Sequence, residues 1–196
     1  NIGRPSRVRA LEPAMAGEGD VFLATQQVFT IDEHSANEIY QVGTLGRILQ
    51  AQRQENGQIK VVVEGRERGQ SVKIEQDDDG MFFAYVRRVQ STDESGCRTD
   101  GLLQKIHTQV EQFLRVSPDA YTDALHASLR GVSASHIADS MSSHLRISVE
   151  EKQALLETFS VSSRLTQLIE ILEQEIEKRQ LDRAIHARTK KQMDKH

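Results

Sequence analysis

The chain has 196 residues, a formal net charge of −4 and 37% hydrophobic residues. That length allows one sizeable core or two small ones, and the mildly acidic balance argues against general nucleic-acid binding through overall charge. No stretch approaches the ~18 consecutive apolar residues of a membrane span, so no membrane contact is predicted. The single cysteine, Cys97, cannot form an internal disulfide and nothing indicates an oxidising compartment, so a cytoplasmic location is predicted.

The first part of the chain, residues 1–90, is predicted to be a small β-rich domain. It opens with three apolar residues at helical spacing, Val8, Leu11 and Met15, and a short apolar run over 21–24 then predicts a strand. Small twisted sheets of this kind usually curl into a partial barrel, and we expect one here.

A β-hairpin is predicted from Val42 onward. Asn56-Gly57 is typical of a type I′ turn, because both residues tolerate the positive φ angles that this turn requires. The residues after the turn alternate between apolar and polar, as in a half-buried strand, and Gly65 is expected to end that strand.

Two further strands are predicted over 70–74 and 81–86, joined by an acidic turn at 77–80. The run 81–86 is apolar on both faces, which predicts a central position in its sheet. The turn resembles part of a calcium loop when Gly80 is aligned with the glycine of that loop. However, Val86 then stands where a bidentate glutamate is needed, so no metal site is predicted.

Residues 91–96 contain no apolar side chain and are predicted to be a linker. Beyond them the apolar period changes to 3.6, and a helical bundle is predicted over 97–160. The first helix carries an apolar stripe, and later helices begin at serine-containing caps. The stripe consists of Leu102, Leu103, Ile106, Val110, Phe113 and Leu114, and the predicted caps are Ser117 before Pro118, Ser133 or Ser135, and Ser148 with Glu151.

Residues 161–196 contain no glycine or proline and are predicted to form one helix of about 35 residues, spanning about 50 Å. Its first half has an apolar stripe between Leu165 and Ile176 that can pack on the bundle, whereas the second half is expected to project into solvent. The second half is rich in lysine and arginine. These cations could contact nucleic-acid phosphates, but a solvated face near the negative end of the helix dipole explains the same composition.

The loop from Gln26 to Gln41 places apolar side chains between two predicted strands. Such side chains either fold back as a lid on the core or form an exposed patch for unfolded polypeptide. For the second alternative, the candidate substrate-binding residues are Val28, Phe29, Ile31 and Tyr40.

No residue of the chain is assigned a catalytic, cofactor-binding or metal-binding role. The sequence contains neither the Gly-Lys-Ser/Thr of a phosphate loop nor a His-Glu-x-x-His pair. Cys97 has no basic cluster nearby beyond Arg98 that would favour its thiolate, so a catalytic thiol is not expected.

Several segments together resemble the N-terminal domain of ATP-dependent Lon proteases. The most specific are Val42-Gly43-Thr44 with Ile48, the glycine-containing turn and valine-rich strand, and Glu64-Gly65-x-x-Arg68. Ile2-Gly3-Arg4 is similar to the family segment just after its first strand. Residues 190–195 are similar to the family's Lys-Lys-Gln-Met-Glu-Lys run, with Asp194 in place of the glutamate. The family's opening Leu-Pro-Leu-Arg-Asp strand has no counterpart, and over 92–150 the similarity is one of pattern.

The predicted fold class is α+β: a β-rich partial barrel, PUA-like by resemblance, followed by a helical bundle and a long C-terminal helix. The resemblance implies a non-catalytic domain that recognises unfolded or damaged polypeptides and supports assembly of a hexamer. ATP and Mg binding, and cleavage by a serine–lysine dyad, are expected in later domains of a larger enzyme. The alternative is a stand-alone ligand- or nucleic-acid-binding module with the same β fold.

Overall fold

The computed structural model describes residues 2, 5–27, 36–117 and 119–193 of the chain. The chain divides into two compact units, residues 1–90 and 91–196. The first contains an antiparallel sheet and the second is helical, which confirms the predicted α+β class. The strands are β1 (Asp20–Leu23), β2 (Val42–Arg53), β3 (Ile59–Gln76) and β4 (Phe82–Val89), and the helices are α1 (Pro5–Ala16), α2 (Cys97–Val116), α3 (Ala120–Ser128), α4 (Ala134–His144), α5 (Val149–Glu157) and α6 (Val161–Met193), with a short 3₁₀ helix at Ala36–Glu38.

The sheet has the order β1-β2-β3-β4, so consecutive strands are neighbours. The turn between β2 and β3 is a three-residue connection, and the prediction of a type I′ turn was wrong. Gln54 N donates to Gln58 O at 2.8 Å and Gly57 N to Gln54 O at 3.0 Å. Gly57 has a φ of +78°. Asn56 lacks the positive φ that a type I′ turn also requires, because Asp93 is the one non-glycine residue with positive φ in the described part of the chain. A turn ending in a left-handed glycine therefore forms here, for which Asn-Gly is equally suited.

The prediction that Gly65 ends a strand was also wrong, because β3 runs without interruption through it. The register passes from Leu45 opposite Glu67 to Gly46 opposite Gly65, which leaves Arg66 as the extra residue of a bulge. A Cβ on Gly46 would lie 2.8 Å from Glu64 O, so the two strands approach too closely there for a side chain. Glycine in this strand pattern marks a bulge and a close backbone approach.

The core of the sheet unit is small. Leu11 of α1, Val42 and Ile59 are its buried large hydrophobic residues within the described part of the chain. Ile2 and Ile59 exchange two backbone hydrogen bonds of 2.8 Å, which ties the N-terminal segment to the start of β3. Helix α1 is held by its polar side chains as well, since Glu12 Oε1 accepts from Arg53 Nη2 at 2.7 Å.

The helical unit has a larger core, built mainly where α2 packs on the first half of α6. The predicted stripe of α2 is confirmed, because Ile106, Val110 and Phe113 are fully buried. Phe113 also meets the ring of Tyr121 edge to face, with ring centroids 5.8 Å apart. The residues of α6 buried in this core are Val161, Leu165, Leu168, Ile169, Leu172 and Ile176.

The N-cap residues predicted from the sequence are confirmed for two of three helices. Ser133 caps α4, and Ser148 with Glu151 forms the predicted capping box of α5. The prediction of Ser117 as the cap of α3 was wrong: Asp119 caps this helix, and its carboxylate accepts from Thr122 N at 2.9 Å. A carboxylate is an equally good cap and stands one residue before the first helical position.

The segment predicted as a linker begins as an ordered part of the helical unit. Thr92 N donates to Phe159 O at 3.1 Å, and Val161 N donates to Thr92 O at 2.9 Å. Ser160 Oγ donates to the Asp93 carboxylate at 2.9 Å. The start of α6 is therefore fixed by this segment as well as by its apolar stripe.

The two halves of α6 differ as predicted. Burial ends at Ile176, and every described side chain from 180 to 190 is exposed to solvent. Leu181 and Ile185 are 61% and 52% exposed, so their apolar surface has no cover within the described chain. The first half of the helix belongs to the core and the second half does not.

Candidate binding surface

The predicted substrate-binding residues lie mainly outside the described residues. This holds for Val28, Phe29 and Ile31, which fall within 28–35. Tyr40 is described: its side chain is half-buried, and its backbone N donates to Thr25 O at 2.9 Å. Of the predicted set, the structure therefore locates Tyr40 alone.

Both ends of the predicted loop are held by a short paired base. Gln26 forms an antiparallel bridge with Ile39, and Gln27 N donates to Glu38 O at 2.7 Å. Gln41 O accepts from Ser71 N at 2.8 Å, which attaches the returning end to the sheet. The two ends of the predicted loop are thus paired with each other directly after β1, and the returning end is bonded to β3.

A second candidate surface is an exposed apolar patch on β3 and β4, formed by Val72, Phe83 and Tyr85. These side chains are 68%, 47% and 57% exposed. Phe83 and Tyr85 are two residues apart on one strand, so they point to the same face, about 7 Å apart along the strand. Val72 is the extra residue of a bulge between Ser71 and Lys73, beside the position of Tyr85. We call these three residues the β4 patch.

Sequence analysis missed the β4 patch because it placed 81–86 at the centre of the sheet. Among the described strands β4 is an edge strand, paired with β3 alone, and the prediction of a central position was wrong. A run that is apolar on both faces predicts burial on both, yet this run exposes its aromatic face. The position of the run, last in an antiparallel meander before a polar segment, was the signal for an edge strand.

The polar groups around the β4 patch have partners on the neighbouring strand positions. Lys73 Nζ forms an ion pair with Glu75, directly across from Tyr85 and Phe83. The hydrogen bond with Glu75 raises the pKa of Lys73, and the same bond, with a further one from Tyr85, lowers the pKa of Glu75. Arg87 donates to Gln70 Oε1 at 2.7 Å. The patch therefore offers apolar and aromatic surface bordered by one neutralised ion pair, Lys73 with Glu75, and by the positive charge of Arg87, whose partner Gln70 is neutral.

A cleft next to Phe83 extends this apolar surface towards α1. It has a volume of about 320 Å³ and lies between α1 and the first residues of β4. Its acidic rim is partly neutralised, since the one cation of Arg47 pairs with Asp20 at 3.0 Å and with Glu18 at 3.7 Å. The apolar lining residues are Ala10, Pro13, Ala14, Met81, Phe82 and Phe83.

The described residues contain no cluster of three His, Cys, Asp or Glu side chains that could hold a metal ion. At the acidic turn, Asp77 Oδ1 accepts from Asp79 N at 3.1 Å and from Met81 N at 2.8 Å. This carboxylate therefore stabilises the turn itself. In the described parts, no helix combines the length and apolarity that crossing a bilayer requires.

Residues 1–174 match the family described as the ATP-dependent protease La (LON) substrate-binding domain. The Lon protease of Solibacter usitatus (strain Ellin6076) is 43% identical over 194 residues, which are 99% of this chain and 24% of that protein. The Lon protease of Brevibacillus choshinensis is 32% identical over 195 residues, 100% of this chain and 25% of that protein. The chain thus spans about a quarter of the length of these curated relatives.

Two solved structures share the fold. The N-terminal domain of the Mycobacterium avium complex Lon protease superposes with a TM-score of 0.68 at 21% identity, covering 88% of each chain. The Lon N-terminal domain protein from Xanthomonas campestris gives a TM-score of 0.57 at 16% identity, covering 86% of this chain and 85% of that one.

Proposed function

The chain belongs to the family of Lon protease substrate-binding domains, and we propose that it binds unfolded or damaged polypeptides for a larger, ATP-dependent protease. The observation that carries this proposal is the family match over residues 1–174, and the exposed aromatic patch supports it. ATP-driven unfolding and peptide cleavage, by a serine–lysine dyad in the cytoplasm, are proposed for the parts of the protease beyond this chain.

The β4 patch has the chemistry that an unfolded polypeptide requires. Folded proteins bury their large apolar side chains, so an unfolded segment differs from a folded surface mainly by exposing them. The apolar surface of Val72, Phe83 and Tyr85, beside the ion pair of Lys73 and Glu75, binds such side chains with little dependence on sequence. The cleft beside Phe83 provides a concave position for one of them.

The affinity of one β4 patch is expected to be low. Fully burying a large apolar side chain contributes about 1.5–3 kcal/mol, and Phe83 and Tyr85 are already about half buried. Contact with all three residues therefore contributes about 3–5 kcal/mol, and because association itself costs several kcal/mol, a dissociation constant of about 1 mM or weaker is expected.

A site of such low affinity binds a long substrate effectively when several copies act together in one assembly. Several copies of a weak site on one assembly raise the effective concentration of a long substrate, so that avidity exceeds each single affinity by 10²-fold or more, to order of magnitude. This supports the proposal that the domain acts within a hexamer. Val28, Phe29, Ile31 and Tyr40 remain proposed as a further apolar contact, carried on the base formed by Gln26 and Ile39.

The proposal is tested by titrating the purified chain with a fluorescent, permanently unfolded polypeptide and with the same protein in its folded form. We expect weak binding of the unfolded form alone. The double variant Phe83→Ser with Tyr85→Ser should lose most of this binding while its thermal midpoint changes little. Val132→Ser is the matched control, because Val132 is 94% exposed but lies in the helical unit.

Three outcomes separate the alternatives. If the wild-type chain binds folded and unfolded forms equally, the proposed function is wrong. If binding of the unfolded form survives the β4 double variant but is lost in Phe29→Ser with Ile31→Ser, the loop is the main site. Binding that disappears in moderate salt would indicate the basic end of α6 and favour a nucleic-acid partner.

A further inference from the structure

The Asn56-Gly57 turn between β2 and β3 has a chemical consequence that is independent of substrate binding. Both residues are exposed at the end of the hairpin. A Cβ built on Gly57 would meet no atom within 4 Å outside its two chain neighbours, so no distant part of the chain crowds this residue on that side.

Hydrogen bonds at the turn place the Asn56 side chain against the backbone that follows it. Gln58 N donates to Asn56 Oδ1 at 3.0 Å. This bond holds the side-chain amide near residue 57 and polarises its carbonyl, which makes the Cγ atom more electrophilic. Gly57 N donates to Gln54 O at 3.0 Å, and this bond must open before the nitrogen can react. Opening is easy because Asn56 and Gly57 lie at an exposed loop tip.

We propose that Asn56 is a site of spontaneous deamidation and isomerisation, with water as the co-reactant. The Gly57 nitrogen loses its proton and attacks Asn56 Cγ, the bond from Cγ to Nδ2 breaks, and the NH2 group takes up one proton and leaves as ammonia. The product is a cyclic succinimide. Water then adds to one of its two carbonyl carbons and opens the ring, giving aspartate or isoaspartate at position 56.

The isoaspartate product alters the hairpin more than the aspartate product does. It inserts a methylene group into the backbone of a three-residue connection that sets the register of β2 and β3. Three residues after Asn56 stands Ile59, which is 1% exposed and exchanges hydrogen bonds with Ile2. We therefore expect the modified chain to lose amide protection at the Gln54–Gln58 and Ile2–Ile59 pairs.

The test is to age the folded chain at mildly alkaline pH and to follow each asparagine by peptide mapping with mass spectrometry. Asn37 is the internal control, because it is also exposed but is followed by Glu38, whose side chain hinders attack by its backbone nitrogen. Conversion at Asn56 should be faster by about tenfold or more, equivalent to a barrier lower by about 1.4 kcal/mol.

Variants separate the chemistry from effects on folding. Asn56→Gln keeps an amide but lengthens the side chain by one methylene, so conversion should cease. Gly57→Ala should slow conversion, although the positive φ of residue 57 strains the variant. Equal rates at Asn56 and Asn37 in the folded chain would overturn the proposal. Product at Asn56 that forms only in denaturant would overturn it equally, because the fold would then protect the site.

Discussion

Replacing Leu172 by alanine measures how strongly the first half of α6 belongs to the helical core. Leu172 is fully buried, in a cluster with residues of α2 such as Ile106 and Val110. The same substitution at Leu181, nine residues further along the same helix, is the matched control. Leu181 is 61% exposed, and both variants carry the same change in helix propensity.

The expected difference between the two variants is large. A buried Leu→Ala change costs about 2–5 kcal/mol, because the transfer energy of the lost atoms is joined by a cavity that the neighbours fill only partly. The change at an exposed position costs about 0.5 kcal/mol or less. For a unit of roughly 100 residues, 3 kcal/mol lowers the thermal midpoint by about 12–24 °C.

The measurement is urea unfolding followed by far-ultraviolet circular dichroism, which reports chiefly on the helical unit. Each variant is measured at two protein concentrations, since a partner chain on the exposed half would make its stability depend on concentration. The free energy of unfolding should fall in Leu172→Ala and stay near the wild-type value in Leu181→Ala. Equal losses in both variants would refute the division of α6 into a packed and a solvated half.

Three further predictions concern local features. Hydrogen bonds from Thr122 and then from Arg179 lower the pKa of Asp119, so its carboxylate stabilises α3 fully above the ordinary carboxyl pKa of about 3.9 and loses this effect as the pH falls below that value. The difference in unfolding free energy between wild type and Asp119→Asn should therefore shrink in acid. A difference that is constant with pH would contradict the cap. Gly69→Ala should destabilise the sheet unit by about 1–3 kcal/mol, because its Cβ would lie 2.5 Å from a methyl carbon of Val86, and a neutral result in thermal unfolding would show that β4 moves aside. Ser148→Ala should cost about 1 kcal/mol in the same measurement, whereas no change would mean that the cap does not form in solution.

The helical unit could be predicted well because its signals are local and redundant. Ile106, Val110 and Phe113 repeat at helical spacing, and each proved to be buried. A capping box such as Ser148 with Glu151 depends on residues three apart, so sequence alone determines it. The error at Ser117 was a shift of two residues, since serine and aspartate serve equally as caps.

The sheet unit was predicted less well because strand pairing depends on distant residues. Gly65 looks the same in sequence whether it ends a strand or sits at a bulge, and the partner Gly46 decides between the two. Asn56-Gly57 suits two turn types, and the hydrogen bonds of Gln54 select one of them. Whether the sheet face that carries Phe83 and Tyr85 is covered depends on which other elements pack there. The pattern within β4 cannot show this.

An exposed aromatic strand must bind its partner without pairing with copies of itself. Edge strands present free backbone groups, and charged residues on such a strand oppose edge-to-edge association. Beyond Tyr85, β4 continues with Arg87 and Arg88, so parallel pairing of two β4 edges in register would place the arginines of one chain opposite those of the other. Binding of a neutral or acidic unfolded segment carries no such repulsion. The same strand can therefore combine an apolar surface for weak binding with charges that limit self-association.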